Sequence, residues 1–254
     1  MKTPLPEAGE RLAKRVAQLS GRSRREAEQL IEGGWVQVNG VVVEEPMARV
    51  TDQTVVIDPA ASPMALTDVT LLLHKPPGLD AMAALGGANR HVKPAQQLLQ
   101  AATHWAQDPA GQRALKRHLS KLTPAMPLET AASGLVVFTQ DWRVLRKLTD
   151  DAAFIEHEFL VEVQGEISAE PLHHLNALGV MEKLPPFKAS VNSTHEGLTR
   201  LRFAVKGAHP GLIAYLCERA GLHMVSMKRL RIGRVTLAHL PEGLWRYLGD
   251  GERF

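Results

Sequence analysis

The apolar positions at the start of the chain predict two short helices followed by a small sheet. Three apolar residues recur there at helical spacing: Leu12, Val16 and Leu19. A second helix is expected to start at Ser23, because Ser23 and Glu26 stand at the two positions of a capping box. Residues then alternate between apolar and polar around Asn39-Gly40, a strong two-residue hairpin turn. The pattern therefore predicts an α+β module over residues 11–58.

A larger unit follows this module. Residues 59–68 are rich in Pro and Ala and lack periodicity, so they predict a linker. Residues 69–250 contain apolar runs such as VTLLLH, LVVFT and EFLVEVQG between helix-like segments. These helix-like segments lie near residues 93–105, 111–122, 141–149 and 211–220. The mixture predicts an α+β domain with a central, largely antiparallel sheet flanked by helices.

Positive charge is concentrated in one short segment. The net charge of the 254 residues is only +3. Residues 11–25, however, contain no acidic residue and hold a cluster of cations: Arg11, Lys14, Arg15, Arg22, Arg24 and Arg25. Clustered cations on a small module are typical of phosphate contacts in RNA binding. A solvated helix face is the alternative, and charge alone does not separate the two.

Several classes of protein are excluded by motifs that the sequence lacks. It contains no glycine-rich phosphate loop, no dinucleotide fingerprint, no His-Glu-x-x-His spacing and no Gly-x-Ser-x-Gly elbow. The single cysteine, Cys217, excludes a disulfide framework and a cysteine-based zinc site. We therefore do not expect an NTPase, a dehydrogenase or a zinc enzyme.

The sequence also predicts where the protein works. No stretch approaches the ~18 consecutive apolar residues that would suggest a membrane-spanning helix. The first residues lack the apolar run of a secretory signal. A lone cysteine fits a reducing compartment. We therefore expect a cytoplasmic protein, and we expect it to be a monomer.

The basic module resembles a known RNA-binding motif. Residues 11–40 combine an Arg-Leu start, a Gly-x-Ser-Arg-Arg-Glu-Ala turn and a Val-x-Val-Asn-Gly hairpin. This order is similar to the alpha-L RNA-binding motif first described in a ribosomal small-subunit protein. The resemblance implies that Arg22, Arg24 and Arg25 face RNA phosphates. Such a module reads the shape and backbone of RNA more than its bases.

The second unit resembles the ribosomal RNA pseudouridine synthases of the small-subunit synthase A type. Four segments match the family's motifs in order: LLLHKPPG, LETAASGLVVFTQD, EHEFLVEVQGEIS and MKRLRIGRVTLAHLPEGLWRYL. The resemblance implies isomerisation of uridine in ribosomal RNA by a carboxylate, without a cofactor. It implies Glu129 as nucleophile and Phe159 as the base-stacking residue, with Lys75 and Arg231 in the same cleft. Lys228 and Arg229 on the same C-terminal segment are further candidates for RNA contact.

The chain departs from the family where the chemistry is expected. The family's Gly-Arg-Leu-Asp is Met126 to Glu129 here, so the resemblance implies a glutamate at the nucleophile position and a proline, Pro127, where the family has an arginine. Phe159 replaces a tyrosine, and a pair of arginines is absent from residues 208–214. A carboxylate misplaced by about 1 Å can cost ~10²-fold in rate.

Two hypotheses about function remain open at this stage. One is a working uridine isomerase, and the other is a binding-only descendant that holds RNA as a ribosome-associated factor. The substitutions favour the second hypothesis on physical grounds. The family resemblance makes the first the natural description of the whole chain.

Each candidate residue also has a plain structural interpretation. Glu129 can be a surface-loop acid, Phe159 a core strand residue and Lys75 a part of a turn. The cations of the C-terminal strand segment fit the wet face of an antiparallel sheet: Lys228, Arg229, Arg231 and Arg234. A further cationic set has helical spacing and fits either a solvent face or a second RNA contact: Arg113, Lys116, Arg117 and Lys121.

Overall fold

The structure, a computed structural model, describes residues 9–63, 67–83, 85, 91 and 93–254. The chain divides into two compact units. The first contains Met1–Asp68 and Arg113–Ser120, and the second contains Val69–Gln112 and Lys121–Phe254. In the described part of the chain, no helix is long and apolar enough to cross a membrane.

The first unit packs two helices against short strands. The helices are α1 (Leu12–Ser20) and α2 (Arg24–Glu32), and the strands are β1 (Glu10–Arg11), β2 (Val36–Val38), β3 (Val41–Val42), β4 (Arg49–Val50) and β5 (Val55–Ile57). The predicted capping box is present, because Ser23 and Glu26 bond to each other's backbone N–H. Asn39 and Gly40 both have positive φ, 50° and 77°, as a tight hairpin between β2 and β3 requires.

The segment around residues 113–120 differs from the prediction. Instead of a long helix over 111–122, the structure has a short 3-10 helix at Lys116–Leu119, and the segment belongs to the first unit. The Arg113 guanidinium lies 4.3 Å from the centroid of the Trp35 ring and donates a 2.5 Å hydrogen bond to the Gly34 carbonyl. The backbone N–H of Lys116 donates to the Glu44 carboxylate at 2.7 Å. These contacts hold the segment in a shape that a continuous helix does not allow.

The predicted helix near 93–105 is also wrong. The structure has two 3-10 helices there, Ala95–Leu98 and Ala101–Thr103. Gln100 between them is extended, with φ −130° and ψ 157°. The end of the segment is tied to a strand instead, because the Trp105 N–H donates to the Trp245 carbonyl at 2.8 Å.

The second unit is built on a nine-stranded sheet. Its strands are β6 (Thr70–Lys75), β7 (Thr123–Pro124), β8 (Ser133–Thr139), β9 (Glu156–Gln164), β10 (Phe187–His195), β11 (Leu198–Lys206), β12 (Met224–Ile232), β13 (Val235–Thr236) and β14 (Trp245–Tyr247). The main order is β10-β11-β9-β12-β8-β6-β14. Among the strand pairs that the structure describes, only β8–β12 is parallel. The helices of this unit are α3 (Trp142–Asp150), α4 (Ala169–Met181) and α5 (Leu212–Arg219). The predicted α+β class with a largely antiparallel sheet is confirmed.

Gly134 lets the parallel strands meet. Its φ is +117°, and a Cβ there would lie 2.3 Å from the carbonyl oxygen of Arg229. Any residue other than glycine is therefore excluded at this position. The close approach brings the loop before β8 beside the middle of β12, and this juxtaposition builds the candidate site.

Candidate active site

A small pocket of the second unit collects residues from β9, β12, the loop before β8 and the loop before α5. Its polar lining residues are Glu129, His157, His209 and Arg229, and Phe159 lies among its apolar ones. The cavity volume is about 20 Å³, which is room for one or two water molecules. A nucleobase therefore fits only if the rim of the pocket moves.

The Glu129 carboxylate is half-buried and caps a helix. Its Oε1 accepts a hydrogen bond of 2.7 Å from the backbone N–H of Gly211. Gly211 precedes α5 and has φ 85°, a conformation that favours glycine. A negative charge at this end of a helix is favourable, because the amide dipoles point their positive end toward it. The interaction fixes the direction of the carboxylate.

Arg229 lies inside the pocket wall, with only 1% of its surface exposed. Its Nε donates to the Leu135 carbonyl and its Nη1 donates to the Pro127 carbonyl, both at 2.7 Å. Burial lowers the pKa of Arg229 to about 10, and the Glu129 carboxylate opposes that shift. The guanidinium therefore stays charged at neutral pH and stands close enough to Glu129 for their charges to interact.

The interpretation that Arg229 lies on the wet face of an antiparallel sheet is wrong, because its side chain is buried; contact of Arg229 with RNA stays a prediction. The physical reason is a β-bulge: Arg229 pairs with Phe159, whereas Arg231 pairs with Glu158. Successive strand residues point to opposite faces. Arg229 therefore faces the pocket with Phe159, while Arg231 faces the other side of the sheet.

The expectation that Arg231 lines the cleft is wrong for the same reason. Its Nε donates to Glu158 at 2.9 Å and its Nη2 donates to Glu156 at 2.6 Å. These ion pairs hold Arg231 on the outer face of the sheet. Lys228, half-buried, lies on that outer face too, since it pairs with Leu160.

Lys75 supports the loop that carries Glu129 but is not among the residues that line the pocket. It is fully buried, and its Nζ donates to the carbonyls of Ala132, Pro76 and Thr130 at 2.6, 3.1 and 3.3 Å. Burial lowers its pKa to about 8. The ammonium therefore ties down the backbone that follows Glu129, a positioning role in place of the expected place in the cleft.

The structure adds two histidines that the sequence analysis did not select. His157 is 1% exposed and lines the pocket two residues before Phe159 on the same face of β9. Burial first, and then the positive charge of Arg229, lower the pKa of His157 to about 3. His209 is exposed at the rim. The alternation along EHEF was the available signal for His157, because it places His157 and Phe159 on one face.

In the first unit the predicted cations divide into two groups. Arg11, Lys14 and Arg24 line a groove of about 500 Å³, together with Arg49, which the sequence analysis did not select. Arg22 and Arg25 are exposed, but they are not among the groove residues. Arg15 is bonded to Glu10 and to the Thr51 carbonyl. Four cations thus surround one groove, with Glu10 as its acidic member.

Comparison with known proteins matches both units. The family model of the S4 domain matches residues 10–56. An "uncharacterized RNA pseudouridine synthase" of Aquifex aeolicus is 27% identical, over 91% of this chain and 89% of its own. Ribosomal large subunit pseudouridine synthase B of Vibrio vulnificus is 28% identical, over 94% and 72%. Dual-specificity RNA pseudouridine synthase RluF of Escherichia coli is 26% identical, over 98% and 78%.

The fold has a counterpart among solved structures. A pseudouridylate synthase crystal structure superposes with a TM-score of 0.55 and 20% identity, covering 94% of this chain and 96% of that one. At this identity the likeness establishes the fold alone. The chain therefore carries an S4 domain and a domain with the pseudouridylate synthase fold, and it is similar in sequence to RNA pseudouridine synthases over nearly its whole length.

Proposed function

We propose that the protein is an RNA pseudouridine synthase that acts on ribosomal RNA, with Glu129 as its nucleophile. One observation carries the proposal: a chain similar to RNA pseudouridine synthases over 91% of its length places a carboxylate, an arginine and an aromatic ring in one pocket. Those three groups are Glu129, Arg229 and Phe159. Because ribosomal RNA is the substrate, we also propose a cytoplasmic site of action.

The reaction needs no group from outside the chain. The bond between uracil N1 and ribose C1′ breaks, and C5 of the rotated base bonds to C1′. The proton on C5 leaves to solvent and N1 gains one, so atoms balance. A carboxylate close to both the ribose and the base assists this exchange. Phe159 offers a face for stacking the base, worth about 1–3 kcal/mol.

Arg229 supplies the charge that the substitution at Pro127 removes. The motif that this segment resembles has an arginine at the position of Pro127, and without it the carboxylate lacks that partner. In the structure the buried Arg229 bonds to the Pro127 carbonyl at 2.7 Å and its charge acts on Glu129. Because backbone carbonyls hold the guanidinium in place, Arg229 gives Glu129 a fixed charge partner in the pocket.

Binding of a base requires the rim to open. The rim residues Ala208, His209 and Pro210 lie between Gly207 and Gly211, which have φ 89° and 85°. These two glycines absorb backbone change at low steric cost.

RNA is held by the first unit in this proposal. The groove cations Arg11, Lys14, Arg24 and Arg49 match a phosphodiester backbone. The exposed Arg22 and Arg25 extend the positive surface beyond the groove.

A binding-only function is the second candidate, and specific observations favour it. The cavity holds about 20 Å³, Phe159 has no hydroxyl for proton transfer, and Glu129 already has a structural partner in Gly211. In this case the protein binds ribosomal RNA through the first unit without altering it.

Tritium release from ribosomal RNA transcripts that carry 5-tritiated uridine separates the two candidates. The isomerase releases tritium in a single turnover, and Glu129→Gln abolishes the release. Glu218→Gln, an exposed acid on α5, is the matched control and retains release. No release by the unaltered protein, with RNA binding intact in a gel shift, would establish the binding-only function.

A further inference from the structure

The pocket contains polar atoms that the proposed chemistry leaves unused. Among the residues that the structure describes, the buried side-chain atoms without a hydrogen-bond partner are His74 Nε2, His157 Nδ1, His157 Nε2 and Arg229 Nη2. Three of these four belong to residues that line the pocket. Buried polar groups in native proteins are normally paired, so each unpaired group calls for an explanation. A ligand group that enters the pocket provides one.

We propose that His157 and Arg229 read the edge of the target base and select uracil over cytosine. The inference rests on the proposed function and names two recognition residues for its substrate. Uracil presents an oxygen at position 4, which accepts hydrogen bonds, and an N–H at position 3, which donates. Arg229 Nη2 donates to the oxygen, and an unprotonated ring nitrogen of His157 accepts from the N–H.

The position of the two residues around Phe159 suits this role. His157 precedes Phe159 by two residues on the same face of β9, and their ring centroids are 6.4 Å apart. Arg229 pairs directly with Phe159 across to β12. A base stacked on Phe159 therefore has His157 beside it along the strand and Arg229 beside it across the sheet.

The guanidinium of Arg229 is held in one orientation. Its Nε and Nη1 are committed to the carbonyls of Leu135 and Pro127. The remaining nitrogen, Nη2, carries donors only, because guanidinium has no acceptor. Cytosine has an amino group where uracil has its oxygen, and an amino donor facing a guanidinium donor leaves both unpaired. That mismatch is the source of discrimination.

The imidazole of His157 is neutral in this setting. Burial, and then the charges of Arg229, His209 and Arg231, lower the pKa of His157 to about 3. A neutral imidazole has one N–H donor and one acceptor nitrogen. The acceptor suits the N–H of uracil, whereas cytosine has an unprotonated nitrogen there.

Nuclear magnetic resonance of the full-length protein labelled with ¹⁵N-histidine tests the proposal without turnover. Uridine 5′-monophosphate and cytidine 5′-monophosphate are titrated separately, and the His157 ring signals are assigned by their loss in His157→Gln. We expect uridine monophosphate to shift these signals saturably, with cytidine monophosphate at least tenfold weaker. His174→Leu, an exposed histidine on α4, is the matched control and keeps both titrations unchanged.

Absence of a His157 shift, or equal affinities for the two nucleotides, overturns the inference. The same experiment separates it from the proposed function. A uridine-specific shift without tritium release rejects the isomerase and keeps base recognition by His157. Tritium release without a shift keeps the isomerase and rejects base recognition by His157. Arg229→Lys supplies a second readout: it keeps the charge and removes the planar donor set, and we expect it to reduce the preference for uridine at least tenfold.

Discussion

Shortening Glu129 by one methylene tests whether the pocket is built around a glutamate. In the structure the carboxylate reaches Gly211 at 2.7 Å. The substitution Glu129→Asp withdraws the carboxylate by roughly 1 Å. That retreat takes the contact beyond normal hydrogen-bond distance. The variant therefore loses both the helix cap and the alignment of the nucleophile.

The size of both effects follows from the geometry. Loss of a side-chain cap costs about 1 kcal/mol of stability, and a displacement of about 1 Å costs ~10²-fold in rate. Glu129→Gln separates the two contributions, because its amide oxygen still accepts from Gly211 while the nucleophile is gone. We expect Glu129→Asp to be less stable and about 10²-fold slower, and Glu129→Gln to be inactive at nearly unchanged stability.

Single-turnover tritium release measures the rates, and urea unfolding measures the stabilities. A faster Glu129→Asp variant would contradict a pocket built around a glutamate. It would mean that the surroundings still favour the shorter aspartate and that the natural glutamate is misplaced. In that case Pro127→Arg combined with Glu129→Asp should raise the rate further, because groups that act as a unit are not additive.

Three further predictions address RNA binding, the buried histidine and the parallel strand pair. Arg24→Ala and Arg49→Ala should each weaken RNA binding and flatten its salt dependence by roughly one phosphate contact. Substitution of the exposed Arg253 by Ala is the control and should change neither. If the salt dependence measured by gel shift is unchanged in the groove variants, the groove is not the RNA-binding surface. His157→Leu should stabilise the protein by about 1–3 kcal/mol in urea, because it removes a buried polar group without partners. The pKa of His157 falls from 6.5 to about 3 on folding, so only the unfolded chain binds this proton between those values. The stability of the unaltered protein should therefore decline as pH falls from 6.5 toward 3, and this decline should be smaller in His157→Leu. If His157→Leu is instead less stable than the unaltered protein, the imidazole has a partner in the native state. Gly134→Ala should cost at least about 2 kcal/mol or prevent folding, since its methyl group would lie 2.3 Å from the carbonyl oxygen of Arg229. If this variant unfolds at the same temperature as the unaltered protein, the two strands do not approach so closely.

The local features of the first unit were predictable from sequence. Ser23 and Glu26 form their capping box, and Asn39-Gly40 forms its hairpin, because both motifs bond within a few residues. The short 3-10 helix that replaces the long helix expected near 111–122 was not predictable in the same way. The conformation of this segment is decided by contacts that Arg113 and Lys116 make with residues far away in the sequence. Periodicity carries no information about such partners.

The candidate site was partly predictable. The motif order pointed to Glu129 and Phe159, and these two residues line the same pocket; their roles stay predictions. The cations of the β12 segment were interpreted together as one wet face, whereas the bulge between Arg229 and Arg231 puts these two side chains on opposite faces. A bulge arises from strand pairing, which the β12 sequence alone does not record. His157 was missed because a single histidine in a strand usually has a structural role.

A pseudouridine map of ribosomal RNA tests the central claim most directly. The map is compared between cells that contain the protein, cells that lack it, and cells that carry Glu129→Gln in its place. We expect at least one uridine that is isomerised only when the unaltered protein is present. Identical maps in all three, with the protein bound to ribosomal RNA, would contradict an isomerase that uses Glu129.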